Sequence, residues 1–119
     1  MIRILVVDDR SDFRMAFVGL LERQPDLKVV SQAGSLAEAR TRLEGIDVVL
    51  IDRGLPDGDG LELMGDLRTV NPGARVFVIS STAEMIHPTD AIQAGADGVI
   101  DKLDSPEQVF AAIRGEGGS

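Results

Sequence analysis

The sequence predicts an α/β fold: a doubly wound, open parallel sheet in one domain. Two observations carry this. Five short apolar runs rich in β-branched residues alternate with five stretches whose apolar positions recur at helical spacing. Four of the runs also end on polar groups: Asp8-Asp9, Asp52, Ser80 and Lys102. Ligands of such sheets bind beyond the carboxyl ends of the strands, so these groups are expected to share one crevice.

The elements follow in order. Ile2 to Val7 is apolar on both parities, as suits a strand buried on both faces. Phe13, Ala16, Phe17, Leu20 and Leu21 then form a helical stripe, with Ser11 or Asp12 as its expected cap and Pro25 marking its end. Lys28 to Ala33 reads as a more polar edge strand. Ser35-Leu36-Ala37-Glu38 has the form of a capping box, and Leu36, Ala39 and Leu43 give its helix a buried face before Gly45 stops it. Ile46 to Ile51 leads to Asp52. Gly54 to Gly60, with Pro56 and glycines, reads as a loop. Leu61, Met64 and Leu67 begin a third helix that Asn71-Pro72-Gly73 ends. Val76 to Ile79 runs into Ser80. Pro88 is placed in the first turn of a short helix containing Ala91, Ile92 and Ala94, with Gly95 as its stop. Gly98 to Asp101 is a short fifth strand. Ser105-Pro106 opens a last helix with Val109, Phe110 and Ile113 inward.

Composition narrows the function classes. Twelve Lys and Arg against twenty Asp and Glu give a net charge of -8. No basic cluster is present, so nucleic acid is not expected as a partner of this domain. There is no cysteine, which excludes disulfides and thiolate metal sites. No apolar stretch approaches the roughly 20 residues of a membrane span. The N-terminus enters a strand directly, without signal-peptide features, and a cytoplasmic location is expected. The domain is placed at residues 1–114, with 115–119 as a flexible tail or the start of a linker.

Each polar group has an ordinary explanation when taken alone. Aspartates are common in loops and at helix starts, a hydroxyl often satisfies a strand end, and a lysine is usually solvated. Their shared position at the ends of the first, third, fourth and fifth strands points to chemistry instead. Two adjacent carboxylates repel unless a cation lies between them, and Mg²⁺ favours a few carboxylates with phosphate oxygens. A carboxylate such as Asp52 can accept a phosphoryl group covalently. Transfer then depends on positioning and on neutralising charge. His87 is read as a surface residue. Gly58-Asp59-Gly60 lacks the Lys-Ser/Thr of a phosphate-binding P-loop.

From Ile2 to Arg114 the chain resembles the receiver domain of two-component response regulators. The resemblance rests on Val6-Val7-Asp8-Asp9, Ile51-Asp52, Leu55-Pro56-Asp57-Gly58-Asp59-Gly60-Leu61-Glu62, Val76 to Ser80, and Gly95-Ala96-Asp97-Gly98-Val99-Ile100-Asp101-Lys102. It implies a flavodoxin-like fold of strand order 2-1-3-4-5. It makes Asp52 the acceptor of a phosphoryl group from a sensor histidine kinase or phosphotransfer protein. Mg²⁺ would be held by Asp9, Asp52 and the Gly54 carbonyl, with Asp8 acting largely through water. Ser80 and Lys102 would bind phosphoryl oxygens, and Gly54 and Thr82 would tune autodephosphorylation. Beyond that self-phosphotransfer and dephosphorylation, no enzyme activity is implied. The segments around Lys102 look most like receivers of the LuxR/FixJ type, whose C-terminal helix-turn-helix binds DNA. Four residues depart from the pattern: Arg53 for an apolar residue, Val99 for a switch aromatic, Ser81 for Ala or Gly, and Leu103 for Pro.

The expected function is therefore a phosphorylation switch. It would act through the surface of the fourth helix, fifth strand and fifth helix, with a homodimer through that surface and control of transcription as the output. The alternative is a receiver-like interaction module that works without phosphorylation, which Arg53 and Val99 leave open. A Mg²⁺-dependent hydrolase is disfavoured because Asp8-Asp9 lacks Asp-x-Asp spacing. A flavin-binding protein is disfavoured because the first loop carries acids where hydroxyl donors are needed.

Overall fold

The structure, a computed structural model, describes residues 1–80, 88–102 and 104–115. Five parallel strands form the main sheet: β1 (Ile2–Val7), β2 (Leu27–Ala33), β3 (Val48–Asp52), β4 (Arg75–Ser80) and β5 (Gly98–Asp101). Their order is β2-β1-β3-β4-β5, as the resemblance implied. The α-helices among the described residues are α1 (Ser11–Leu21), α2 (Leu36–Arg40), α3 (Leu63–Val70), α4 (Pro88–Gln93) and α5 (Pro106–Arg114). No helix among them is long and apolar enough to cross a membrane.

Alternate residues of each strand serve opposite faces, and this divides the core. Leu5, Val7, Val49, Ile51, Val76 and Val78 pack with residues of α2, α3 and α4. Ile4, Val6, Val48, Leu50, Phe77, Ile79 and Ile100 pack with residues of α1 and α5. All five residues of β3 are buried, so apolar positions on both parities are what its place at the sheet's centre requires. β2 is one of the two edge strands, and its register against β1 slips between Ile4↔Val29 and Leu5↔Ser31. The bulge at Val30 brings Val7 opposite Ala33, beside the site.

Several local expectations are corrected. Neither Ser11 nor Asp12 caps α1. Arg10 holds the N-cap position without a side-chain cap bond, and the nearby Asp8 carboxylate accepts from the Arg10 N–H at 2.8 Å. Ser35 does cap α2, accepting from Glu38 N at 3.1 Å, but Glu38 reaches one residue further back, to Gly34 N at 2.7 Å. α2 ends at Arg40, well before Gly45, because Thr41 Oγ1 donates to the Glu38 carbonyl in the last turn. Leu43 is buried from the irregular segment that follows. α4 contains Ala91 and Ile92 as expected but ends at Gln93, before Ala94. The last helix matches closely: Ser105 and Gln108 form a capping box, and Gly115 closes it at φ 79° in the left-handed region.

The segment Gly54 to Gly60 is more ordered than a loop. Gly54–Leu55 and Gly58–Asp59 form a small antiparallel ribbon, followed by a 3₁₀ turn at Gly60–Glu62. Asp57 leaves this ribbon to accept from the N–H groups of Leu36 and Ala37, at 2.8 and 3.0 Å, at the start of α2. Those two bonds hold its carboxyl below the usual carboxylate range. Elsewhere, Arg114 of α5 clasps Asp26 with two bonds of 2.7 Å, tying the last helix to the entry of β2.

Candidate functional site

The site is set by four neighbouring strand ends. Val7 pairs with Ile51, so Asp8 and Asp52 leave adjacent strands side by side. Asp52 pairs with Ile79, and Ser80 with Asp101, which brings the ends of β4 and β5 to the same edge.

Asp8 is held at three points. Its N–H donates to the Ala33 carbonyl at 3.0 Å, extending the β1–β2 ladder. One carboxylate oxygen accepts from Arg10, as above. The Arg14 guanidinium donates to its backbone carbonyl. The other oxygen, Oδ2, is buried and has no hydrogen-bond partner among the described residues. Burial is the main force raising the Asp8 pKa, and the Asp52 charge adds to it against the Arg10 bond and Lys102. Two ionised carboxylates cannot bond each other, but a protonated Asp8 could donate to Asp52, and this raises the pKa further.

Asp52 is 4% exposed. Its Oδ1 accepts from the Gly54 N–H at 2.9 Å and its Oδ2 from Lys102 Nζ at 3.0 Å. Behind it, Gly60 lies so close that a Cβ there would meet the Asp52 carbonyl oxygen at 2.3 Å. Only glycine allows this approach. Lys102 Nζ also lies 3.8 Å from Asp8 Oδ2. One ammonium thus serves two buried carboxylates. Asp9 is exposed, and ligand atoms of Asp8, Asp9 and Asp52 all lie within 4.8 Å of one another.

The structure therefore brings together Asp8, Asp9, Asp52, Gly54 and Lys102. It places the backbone of Ser80 at the end of β4, but the Ser80 side chain falls outside the described residues, as do Ser81, Thr82, His87 and Leu103. The donor set fits a hard divalent cation: carboxylate oxygens only, an excess of negative charge, and one buried oxygen without a hydrogen-bond partner among the described residues.

Sequence reasoning missed several contributors. Phe13 reads as core, yet Lys102 Nζ sits 4.5 Å above the centre of its ring. Arg14, one turn into α1, holds Asp8 and also reaches Gln32 at 3.2 Å; a basic residue so soon after an acidic pair was the available signal. Arg53, the departure beside Asp52, forms a two-bond pair with Asp59 at 2.8 and 3.3 Å. It therefore braces the ribbon through a side-chain pairing that a usual apolar residue could not make.

A family model described as the response regulator receiver domain matches residues 4–114. Among curated proteins, the DNA-binding transcriptional activator DevR/DosR of Mycobacterium tuberculosis is 37% identical, over 98% of this chain and 55% of that protein. A solved two-component response regulator of the LuxR family from Aurantimonas is 30% identical with a TM-score of 0.81, over 95% of this chain and 82% of that one. A response regulator from Burkholderia pseudomallei, solved with a phosphorylated aspartic acid and a calcium ion, is 28% identical with a TM-score of 0.79, over 95% of this chain and 66% of that one. The chain belongs to the response regulator receiver domain family, and its relatives include regulators of the LuxR type. It spans about half the length of the curated relatives it matches.

Proposed function

We propose that this domain is the phosphoacceptor of a two-component phosphorelay and that Asp52 carries the phosphoryl group. The observation that carries the reading is the Lys102–Asp52 contact of 3.0 Å in a buried crevice with an orphaned Asp8 oxygen. Asp52 attacks the phosphorus of a phosphohistidine on a sensor kinase or phosphotransfer protein. The O–P bond forms, the N–P bond breaks, and the imidazole leaves with the electron pair and takes up a proton. Lys102 pairs with an oxygen of the transferred group, Ser80 with another, and Gly54 N–H holds the acceptor carboxylate. Asp9, Asp52 and the Gly54 carbonyl would hold Mg²⁺, with Asp8 acting through water. The ion would supply positive charge against the phosphoryl oxygens. Outside its own phosphorylation and dephosphorylation the domain catalyses nothing.

Charge added at Asp52 then favours one of two packings of the α4, β5 and α5 surface. That surface would mediate a homodimer and control an output, which the likeness to a transcriptional activator makes transcription, through DNA-binding chain outside this domain. The setting is the cytoplasm, with no membrane or nucleic acid contact by the domain itself. The test is incubation with acetyl phosphate and Mg²⁺, read by intact mass. The wild type should gain one phosphoryl group and Asp52→Asn none. Equal labelling of the two would refute the assignment. Mg²⁺ affinity should fall in Asp9→Asn.

A further inference from the structure

Phe13 has a role that the family assignment does not supply. Its ring, on α1, has its centre 4.5 Å from Lys102 Nζ. The ring is stacked on Phe17, with centroids 5.6 Å apart and planes within 15°. The Lys102 side chain is only 12% exposed. Its ammonium therefore lies between two carboxylates and one aromatic face. The face of an aromatic ring carries partial negative charge, so it attracts the ammonium, and desolvation strengthens the attraction. A cavity of about 170 Å³ lined by Phe13, Phe17, Ile79, Ile100 and Lys102 lies beside the ring.

We propose that Phe13 is a positioning residue for Lys102: its ring holds the ammonium at the crevice, aimed at Asp52, before and after the phosphoryl group arrives. The proposal rests on the reading of Asp52 as phosphoacceptor. Without the ring, the ammonium keeps its bond to Asp52 but loses the attraction on its third side, and the four-carbon stem holds it over a wider range of positions. The transfer would then begin with its main protein cation less narrowly aimed.

The test uses the full chain. The proton shift of the Lys102 ε-methylene is recorded by NMR in the unphosphorylated wild type, in Phe13→Leu, in Phe13→Tyr, and with pentafluorophenylalanine at position 13. The last keeps the ring's shape and reverses the charge of its face. Ring current should move the wild-type signal upfield. The displacement should vanish in Phe13→Leu, return in Phe13→Tyr, and weaken with the fluorinated ring. Phosphorylation by acetyl phosphate should slow about fivefold in Phe13→Leu and with the fluorinated ring, and stay within about twofold of wild type in Phe13→Tyr. An ε-methylene indifferent to these changes overturns the proposal. So does a fluorinated protein that reacts as fast as wild type, and this second result stands even if Phe13→Leu fails to fold. If the wild type takes up no phosphoryl group, the reading of Asp52 fails, and the role of Phe13 in holding Lys102 is decided by the ε-methylene shift.

Discussion

Replacing Asp8 by Asn should make the metal-free protein more stable. At an effective dielectric constant of about 20, the attraction between Asp8 and Lys102 across 3.8 Å is about 4 kcal/mol. The repulsion between Asp8 and Asp52, whose facing oxygens lie within 4.8 Å, is at least about 3.5 kcal/mol. These nearly cancel, and Asp9 adds further repulsion. What remains is the desolvation of a carboxylate that is 1% exposed, a penalty of several kcal/mol per ion. Asn keeps the carbonyl oxygen that accepts from Arg10 and can donate its amide to Asp52. A net gain of about 2 kcal/mol is expected, a rise of about 1 M in the urea midpoint. Urea unfolding in EDTA measures it directly. Mg²⁺ should stabilise the wild type and close the gap, because the variant lacks one of the carboxylates that attract the ion. The pH dependence has a defined sign. The folded pKa of Asp8 lies above its unfolded value, so its contribution favours folding below the unfolded pKa and is lost as pH rises through the folded one. The variant's advantage should therefore shrink in acid. A variant less stable than wild type in EDTA at neutral pH would refute the reasoning, since the ion pair would then outweigh burial.

Three other outcomes are expected. Gly60→Ala should destabilise by about 3 kcal/mol or more and slow phosphorylation, because its Cβ meets the Asp52 backbone; chemical denaturation and acetyl phosphate labelling check both. Gly65→Ala, inside α3 with nothing within 4 Å of its Cβ, should instead stabilise by about 0.5–1 kcal/mol in the same unfolding assay. Asp26→Asn should cost stability at neutral pH, because the Arg114 bonds hold the Asp26 carboxyl below its ordinary pKa. That stability is present above the unfolded pKa and lost as pH falls through the folded one. Melting curves of the two proteins should converge in acid.

The strands were legible because their apolar runs are short and their boundaries chemical: Asp52 ends β3, and Asp101 ends β5 just before Lys102. The same runs hid the division of the core, which depends on which parity each helix covers. The site's charged members were legible for a related reason, since polar groups at strand ends have little reason to recur. Phe13 was not, because an aromatic at helical spacing has one periodicity whether it faces a core or an ammonium. Glu38 shows another limit: a capping motif gives the residue types, while the backbone decides which N–H they meet. Asp57 and Asp59 resembled ornaments of a turn because their partners, the start of α2 and Arg53, are fixed only once β3 is in place.

Asp57 has a consequence beyond capping. Its two bonds to α2 fasten the ribbon after Asp52 to the segment that precedes β3. A stretch of three glycines and a proline should therefore be stiff on the nanosecond scale, with amide order parameters approaching those of the sheet. Its conformational entropy is lost once, when the domain folds, and not again when Asp52 reacts. On the proposed reading of Asp52 as phosphoacceptor, each incoming donor would meet it with its surroundings already in place, and differences in transfer rate between donors should arise in docking and not in ordering of this segment.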